Sequence, residues 1–301
     1  MPEKAKKRKN RLIVIVGPTS SGKTALAVKL AKLFNGEIVS ADSRQVYKGM
    51  DVGTGKDLAK YGRVPHHLID VISPKRQFSL AQFQKLAYLA IDDIIKRGKM
   101  PILAGGTGLY VQAIIDGYLL AKSKPNEKLR DELNKKTIGQ LQDMIKNLNI
   151  DLNQSDFNNK RRLIRMIEIQ STAKNFKPEK NPKYDCLILG LKLPQEILNH
   201  RIDQRLVYRL KKQGLIDEVK QLQQQGVSWQ RLEAFGLEYK WIAYFLQNKI
   251  DLEAMLSKLS IAIHQFAKRQ LTWFKKDNRI TWTKNYAEAK NLVNDFLKVT
   301  K

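Results

Sequence analysis

The chain has 301 residues, 43% hydrophobic and 28% charged, which is enough to bury a sizeable core and too apolar for a disordered protein. Its 55 Lys and Arg outnumber 29 Asp and Glu to give a net charge of +26, an excess that points to a polyanion, RNA or DNA ahead of a membrane surface, with adaptation of surface charge for solubility as the alternative. Cys186 is the single cysteine, so an intramolecular disulfide and a cysteine-rich zinc site are excluded; four scattered His give no basis for transition-metal chemistry, and no uncharged apolar run of about 18 residues exists to span a bilayer.

Residues 1–11 carry six basic side chains and one Glu without apolar periodicity, and are expected to form a mobile basic tail. From Arg11 the pattern RLIVIV predicts a strand, followed by a Gly-rich turn and the helical stripe ALAVKLAKLF. EIVSAD and HLIDVI read as two further strands. SLAQFQKLAYLAIDDIIKRG reads as a long amphipathic helix ended by Gly98, and MPILAGG as a buried strand leading into TGLYVQAIIDGY. From about residue 121 to 182 the chain turns polar, strand-poor and helical, as in KLRDELNKK, IGQLQDMIKNLN and NNKRRLIRMIEIQS. YDCLILGLKL then supplies another strand, in which Cys186 reads as a buried thiol, and after several helices RITWT reads as a short last one. Strands alternating with helices imply a parallel sheet covered on both faces. The expected fold is therefore α/β: a three-layer α/β/α core of residues 12–120 and 183–301, with a helical domain inserted at 121–182.

Gly17, Pro18, Thr19, Ser20, Ser21, Gly22, Lys23 and Thr24 satisfy G-x-x-x-x-G-K-[ST] between a predicted strand and helix, the setting of a phosphate-binding P-loop. Glycines let backbone N–H groups and the helix N-terminus face anionic oxygens; Lys23 adds charge, and the Thr24 hydroxyl can ligand Mg²⁺. Such a loop identifies a pyrophosphate or nucleotide, not a reaction, since kinases, NTPases and other transferases share it.

Beyond the loop, the run Ser40-Ala41-Asp42-Ser43-Arg44-Gln45-Val46-Tyr47-Lys48-Gly49-Met50-Asp51-Val52-Gly53-Thr54 follows the second strand. Together with GPTSSGKT it resembles the tRNA dimethylallyltransferase (tRNA isopentenyltransferase) family. The resemblance continues through His66-His67-Leu68-Ile69-Asp70, Phe78-Ser79-Leu80-Ala81-Gln82-Phe83, Gly105-Gly106-Thr107-Gly108-Leu109-Tyr110, Arg161-Arg162-Leu163-Ile164-Arg165 and Ala267-Lys268-Arg269-Gln270-Leu271-Thr272-Trp273-Phe274. It covers nearly the whole chain. The resemblance implies transfer of a dimethylallyl group from dimethylallyl pyrophosphate to the exocyclic amine of the adenosine 3′ of the anticodon. In that role the P-loop and Mg²⁺ hold a departing pyrophosphate.

Asp42 matches the family's general base, and a strand-end carboxylate beside a P-loop stands where an α/β sheet binds ligands; a Mg²⁺ ligand is the rival role. Asp51 and Asp70 are expected to be structural or to support the residues that touch the ligand. Thr107 is expected to bond the bridging oxygen of the leaving group or to cap the following helix. Arg205 matches an Arg that contacts pyrophosphate in the family, with a solvated helix face as the alternative. For tRNA, the resemblance and the charge point to Asp42, Ser43, Arg44, Gln45 and Thr107 at the target base, and to Arg130, Arg161, Arg162 and Arg165 in or beside the insert, where a solvated basic face is the alternative. Trp273 and Phe274 are candidates for base stacking or for the core. Phe235-Gly236-Leu237-Glu238-Tyr239-Lys240-Trp241 departs from the family's short I-G-Y-[KR]-E segment, so no role is carried over to Tyr239 or Lys240. The partners expected are the anticodon stem-loop of tRNA and dimethylallyl pyrophosphate, acted on by a soluble, cytoplasmic monomer without membrane contact. A P-loop small-molecule kinase is the competing enzyme class, and a non-enzymatic NTP sensor that binds nucleic acid is the third possibility.

Overall fold

The computed structural model describes residues 9–121, 123, 125–148, 150, 152, 154–173, 176 and 179–298. Two compact units emerge, one made of residues up to Gly117 together with those from Pro182, the other Tyr118–Asn181. The first unit starts with β1 (Asn10–Val16), α1 (Lys23–Leu33), β2 (Gly36–Ser40), β3 (His66–His67), α2 (Leu80–Lys96), β4 (Met100–Gly105) and α3 (Gly108–Ile115). The second holds β5 (Tyr118–Leu119), α4 (Glu127–Asn134), α5 (Ile138–Asn147), α6 (Gln154–Phe157), α7 (Lys160–Thr172) and β6 (Glu179–Lys180). The chain then completes the first unit with β7 (Tyr184–Leu191), α8 (Gln195–Lys212), α9 (Leu215–Gln224), α10 (Trp229–Phe235), α11 (Leu237–Leu246), α12 (Leu252–Phe274), β8 (Ile280–Thr283) and α13 (Tyr286–Lys298).

Six strands pair in the order β3-β2-β4-β1-β7-β8, every pair parallel. β1 is central because its apolar run is buried on both faces. Leu12, Val14 and Val16 join the cluster of α2 and α3, whereas Ile13 and Ile15 join that of α1 and α13, the alternation a pleated strand imposes. Helices α8 to α12 do not cover the sheet in the same way. They build a separate apolar cluster that takes in Val46, Tyr47 and Met50 from the segment after β2.

Three expectations need correction. Residues 1–8 of the expected tail lie outside the described residues, and Asn10 and Arg11 belong to β1, paired with Tyr184 and Asp185; Arg11 also donates to Leu297 O at 2.7 Å. The HLIDVI strand ends after His67, because Leu68 and Asp70 take φ of 65° and 56°, incompatible with extended pairing. Cys186 is half-buried; burial pushes its thiol up to about 12, which makes it a poor nucleophile.

The helical unit begins at Tyr118 because Tyr118 and Leu119 pair antiparallel with Lys180 and Glu179. Its helices start at local signals: Asn126 and Asn159 accept the N–H of Leu129 and Arg162, and Thr137 with Gln140 forms a capping box. Leu133, Leu141, Ile145, Leu163, Ile164 and Ile167 form its core. Among the described residues of the whole chain, no helix is long and apolar enough to cross a membrane.

Candidate active site

The P-loop connects the central strand to α1. Ser20 and Gly22 take positive φ, 61° and 95°, and a Cβ on Gly17 would stand 2.9 Å from Leu191 O, so the loop's path depends on glycine where β7 passes closest. Lys23 Nζ donates to Pro18 O at 3.1 Å, and burial lowers the Lys23 pKa to about 8. Gln270 of α12 ties this loop to the Gly-Gly-Thr-Gly turn: Thr19 N–H donates to its Oε1 at 2.8 Å, and its Nε2 donates to Gly106 O at 2.8 Å. A Cβ at Gly106 would overlap Gln270 Nε2. That is the physical reason for a second glycine there.

Asp42 closes the turn after β2. Its Oδ1 accepts the N–H of Arg44 at 2.9 Å and of Gln45 at 3.4 Å; Oδ2 accepts no hydrogen bond from the described residues. Thr107 precedes α3 without capping it through its side chain; its Oγ1 instead accepts the Ser43 N–H at 3.0 Å. Arg205 on α8 donates to Asp57 Oδ2 at 3.0 Å and to Gly55 O at 3.4 Å. Burial works to raise the Asp57 pKa, and Arg205 with Lys60 outweighs it, leaving the carboxyl below its ordinary value.

One cleft of about 230 Å³ gathers most of these parts, while Thr107 and Ser43 lie outside its lining. Thr19, Ser20, Gly22, Lys23 and Thr24 line its P-loop side; Asp42, Arg44 and Gln45 line the β2 side; Arg201, Arg205 and Phe266 complete it. Gly17, Pro18 and Ser21 shape the loop rather than the cleft wall. Arg205 is therefore a cleft residue and not part of a solvated face. Among the described residues no cluster of three His, Cys, Asp or Glu could hold a metal by itself, so an ion at Thr24 would take most of its oxygens from a bound phosphate, as Mg²⁺ commonly does.

Comparison with known proteins decides the family. The "IPP transferase" family model matches residues 45–277 and the "Isopentenyl transferase" model residues 10–62. The chain is 48% identical to tRNA dimethylallyltransferase 2 of Treponema denticola, covering 89% of this chain and 92% of that one. It is 43% identical to tRNA dimethylallyltransferase 1 of Geotalea uraniireducens, with 89% of each covered. The chain belongs to the tRNA dimethylallyltransferase family. Among solved structures, the tRNA isopentenylpyrophosphate transferase of Bacillus halodurans aligns with a TM-score of 0.73 at 35% identity over 96% of both chains. A eukaryotic dimethylallyltransferase acting on tRNA aligns with a TM-score of 0.78 at 27% identity, over 97% of this chain and 80% of that one.

Within this dimethylallyltransferase the remaining candidates separate. Phe274 is 3% exposed in the sheet core, and Trp273 packs against the same cluster over Gly108, where a Cβ would overlap the indole; packing, not base stacking, occupies both. In the helical unit, Arg130 and Arg165 pair with the fully buried Glu168, Arg162 pairs with Asp156, and exposed Arg161 has no ion pair among the described residues. Asp51 and Asp70 flank the Lys56 ammonium, which also donates to Tyr47 O at 2.8 Å. Lys56 is 1% exposed and staples the segment that leads from Asp42 to β3 and beyond.

Sequence reasoning missed a set of positioning residues. Glu218 accepts the N–H groups of Asp51, Val52 and Gly53 at 2.7, 2.6 and 3.0 Å, and the Tyr239 hydroxyl donates to it at 2.7 Å. Tyr239, in the atypical Phe-Gly-Leu-Glu-Tyr segment, is thus a buried anchor. Glu238 beside it pairs with Arg44 at 2.7 Å and Arg209 at 3.4 Å. The only sequence signal for this pair was the departure of that segment from the family pattern.

Proposed function

We propose that this enzyme moves a dimethylallyl group from dimethylallyl pyrophosphate to the exocyclic N6 of the adenosine 3′ of the anticodon. Asp42 carries the proposal: a carboxylate with one oxygen fixed by backbone N–H groups and the other open, in the same cleft as a complete P-loop. The N6–C1 bond forms as the C1–O bond breaks, pyrophosphate leaves with the electron pair, and the N6 proton passes to Asp42 Oδ2. Lys23, Arg205 and the P-loop N–H groups oppose the charge that grows on the leaving oxygens. Thr107 Oγ1, which accepts the Ser43 N–H and donates to Ser43 Oγ at 3.3 Å, would turn that proton to the bridging oxygen when the donor binds. Mg²⁺ would be held by Thr24 Oγ1 together with pyrophosphate oxygens, and when bound it supplies further charge neutralisation.

Ser43, Arg44 and Gln45 would meet the target base and its neighbours, with Arg130, Arg161, Arg162 and Arg165 contributing phosphate contacts. A stacked adenine reaches such a cleft only by leaving the anticodon stack, so tRNA is expected to bind before the donor completes the pocket. The enzyme acts as a monomer, and its tRNA substrate places it in the cytoplasm. The kinase alternative finds no support among the relatives. Incubation with tRNA and dimethylallyl pyrophosphate tests the reading: prenylated adenosine and one equivalent of pyrophosphate without ATP are expected, and phosphate transfer from ATP with no prenylated nucleoside would overturn it.

A further inference from the structure

Arg44 lies two residues after Asp42, yet its charge is engaged elsewhere. Its main-chain N–H serves Asp42, whereas its guanidinium Nη1 stands 2.7 Å from Glu238 Oε2 and its Cζ 5.7 Å from the Phe266 ring centroid. Arg44 and Phe266 line the cleft, and Glu238 does not. The Glu238 side chain is 4% exposed, with its other oxygen 3.4 Å from Arg209 Nη1. Burial opposes its charge, and Arg44 with Arg209 outweighs burial, so its pKa falls below the ordinary value.

The position of Glu238 is fixed from both sides along the chain. Gly236 and Leu237 take φ of 71° and 45°, the second an uncommon conformation for a bulky residue that only surrounding structure maintains. On the other side Tyr239 is anchored on Glu218. Arg209 has no slack: a Cβ at Gly55 would overlap its Nη2 and that of Arg205, so the two guanidiniums lie side by side. Arg209 Nε and Nη2 have no hydrogen-bond partner among the described residues. Burial and the neighbouring Arg205 press the Arg209 pKa down to about 10.

Burial also works against the charge on Arg44; Glu238 first and Asp42 second are the carboxylates that more than restore it. A half-buried guanidinium such as that of Arg44, 17% exposed, favours another carboxylate when deprived of its own, because desolvated charge is costly to leave unpaired. Lys23 also feels Asp42, and donates one of its three ammonium protons to Pro18 O. We infer that Glu238 is a positioning residue that keeps Asp42 free to accept a proton, by holding Arg44 in a separate ion pair and so preventing an Arg44–Asp42 pair. The inference rests on the proposed role of Asp42 as the base.

The test is a suppression experiment. Glu238→Gln keeps the shape of the side chain and removes its charge. Its single-turnover prenylation rate at saturating tRNA and dimethylallyl pyrophosphate is expected to fall about tenfold or more, with donor binding retained. Adding Arg44→Met to Glu238→Gln is expected to bring the rate back to within about threefold of Arg44→Met alone, an effect that a purely structural role for Glu238 does not produce. In a crystal structure of Glu238→Gln the Arg44 guanidinium is expected on Asp42. A rate within about threefold of wild type, a loss that removal of Arg44 does not relieve, or an Arg44 that stays off Asp42 would each overturn the inference. Should Glu238→Gln fail to fold, the same comparison in an Arg209→Met background removes the second buried cation and decides the point. An inactive wild type would defeat the prenyl-transfer reading itself, while the crystal structure would still decide where Arg44 goes.

Discussion

Glu168 in the helical unit and Glu238 at the start of α11 face the same electrostatic problem in different surroundings. Each is a buried carboxylate between two arginines. Around Glu168 the arginine side chains are 28% and 37% exposed, and the carboxylate also accepts the Asn126 N–H at 2.6 Å, which ties the cap of α4 to α7. Around Glu238 the arginine side chains are 17% and 7% exposed, and one of them lines the cleft that contains Asp42. Where the cations can rehydrate, the glutamate organises a fold. Where they are more enclosed and one of them lines the cleft, the glutamate decides which carboxylate a cation takes, and that reaches the chemistry.

This contrast yields predictions of decreasing size. Lys23→Met removes a cation that lines the cleft, so kcat/KM for dimethylallyl pyrophosphate should fall about 10²–10³-fold with tRNA affinity nearly unchanged. A parallel loss of tRNA binding would show that the cleft and the RNA contacts are not separable. Glu168→Gln should instead lower stability by about 1–3 kcal/mol, less than for a fully enclosed pair because Arg130 and Arg165 can rehydrate. Thermal melts should register that loss while kcat per folded enzyme stays constant; a changed kcat would erase the distinction between the two glutamates.

A pH profile sharpens the comparison further. Burial lowers Lys23 to about 8, so the group is charged below that pH and neutral above it. Donor kcat/KM should therefore decline as pH rises through about 8, the limb should vanish in Lys23→Arg, whose charge persists, and tRNA affinity carried by arginines should show no such limb. A profile flat to about pH 10 in the wild type would contradict the lowered pKa. The smallest effect belongs to Arg161, exposed and without an ion pair among the described residues. Arg161→Ala should reduce the slope of log affinity for tRNA against log salt by about 0.7–0.9, and parallel slopes would make it a solvated side chain.

Local features were legible in the sequence, and distant pairings were not. The P-loop is eight consecutive residues, the RLIVIV strand announces its burial by composition, and the Thr137 capping box lies within one turn. Gln270 meets Thr19 across 251 positions and Glu238 meets Arg44 across 194; no periodicity encodes such pairs, because the fold selects partners among many equivalent polar side chains. HLIDVI failed as a strand for a related reason: its Asp70 is held by Lys56, and the backbone around it turns through positive φ at Leu68 and Asp70. The resemblance located Asp42 and Arg205 but was silent on Glu238, where the chain leaves the family pattern.

The central claim is that Asp42 serves the chemical step in a cleft whose P-loop holds the leaving group. Rapid-quench single-turnover prenylation of tRNA by Asp42→Ala, at saturating donor and tRNA and with both affinities measured alongside, tests it most directly. A rate about 10²–10⁴-fold below wild type with donor and tRNA still bound is expected; a rate within about threefold of wild type would remove Asp42 from the reaction.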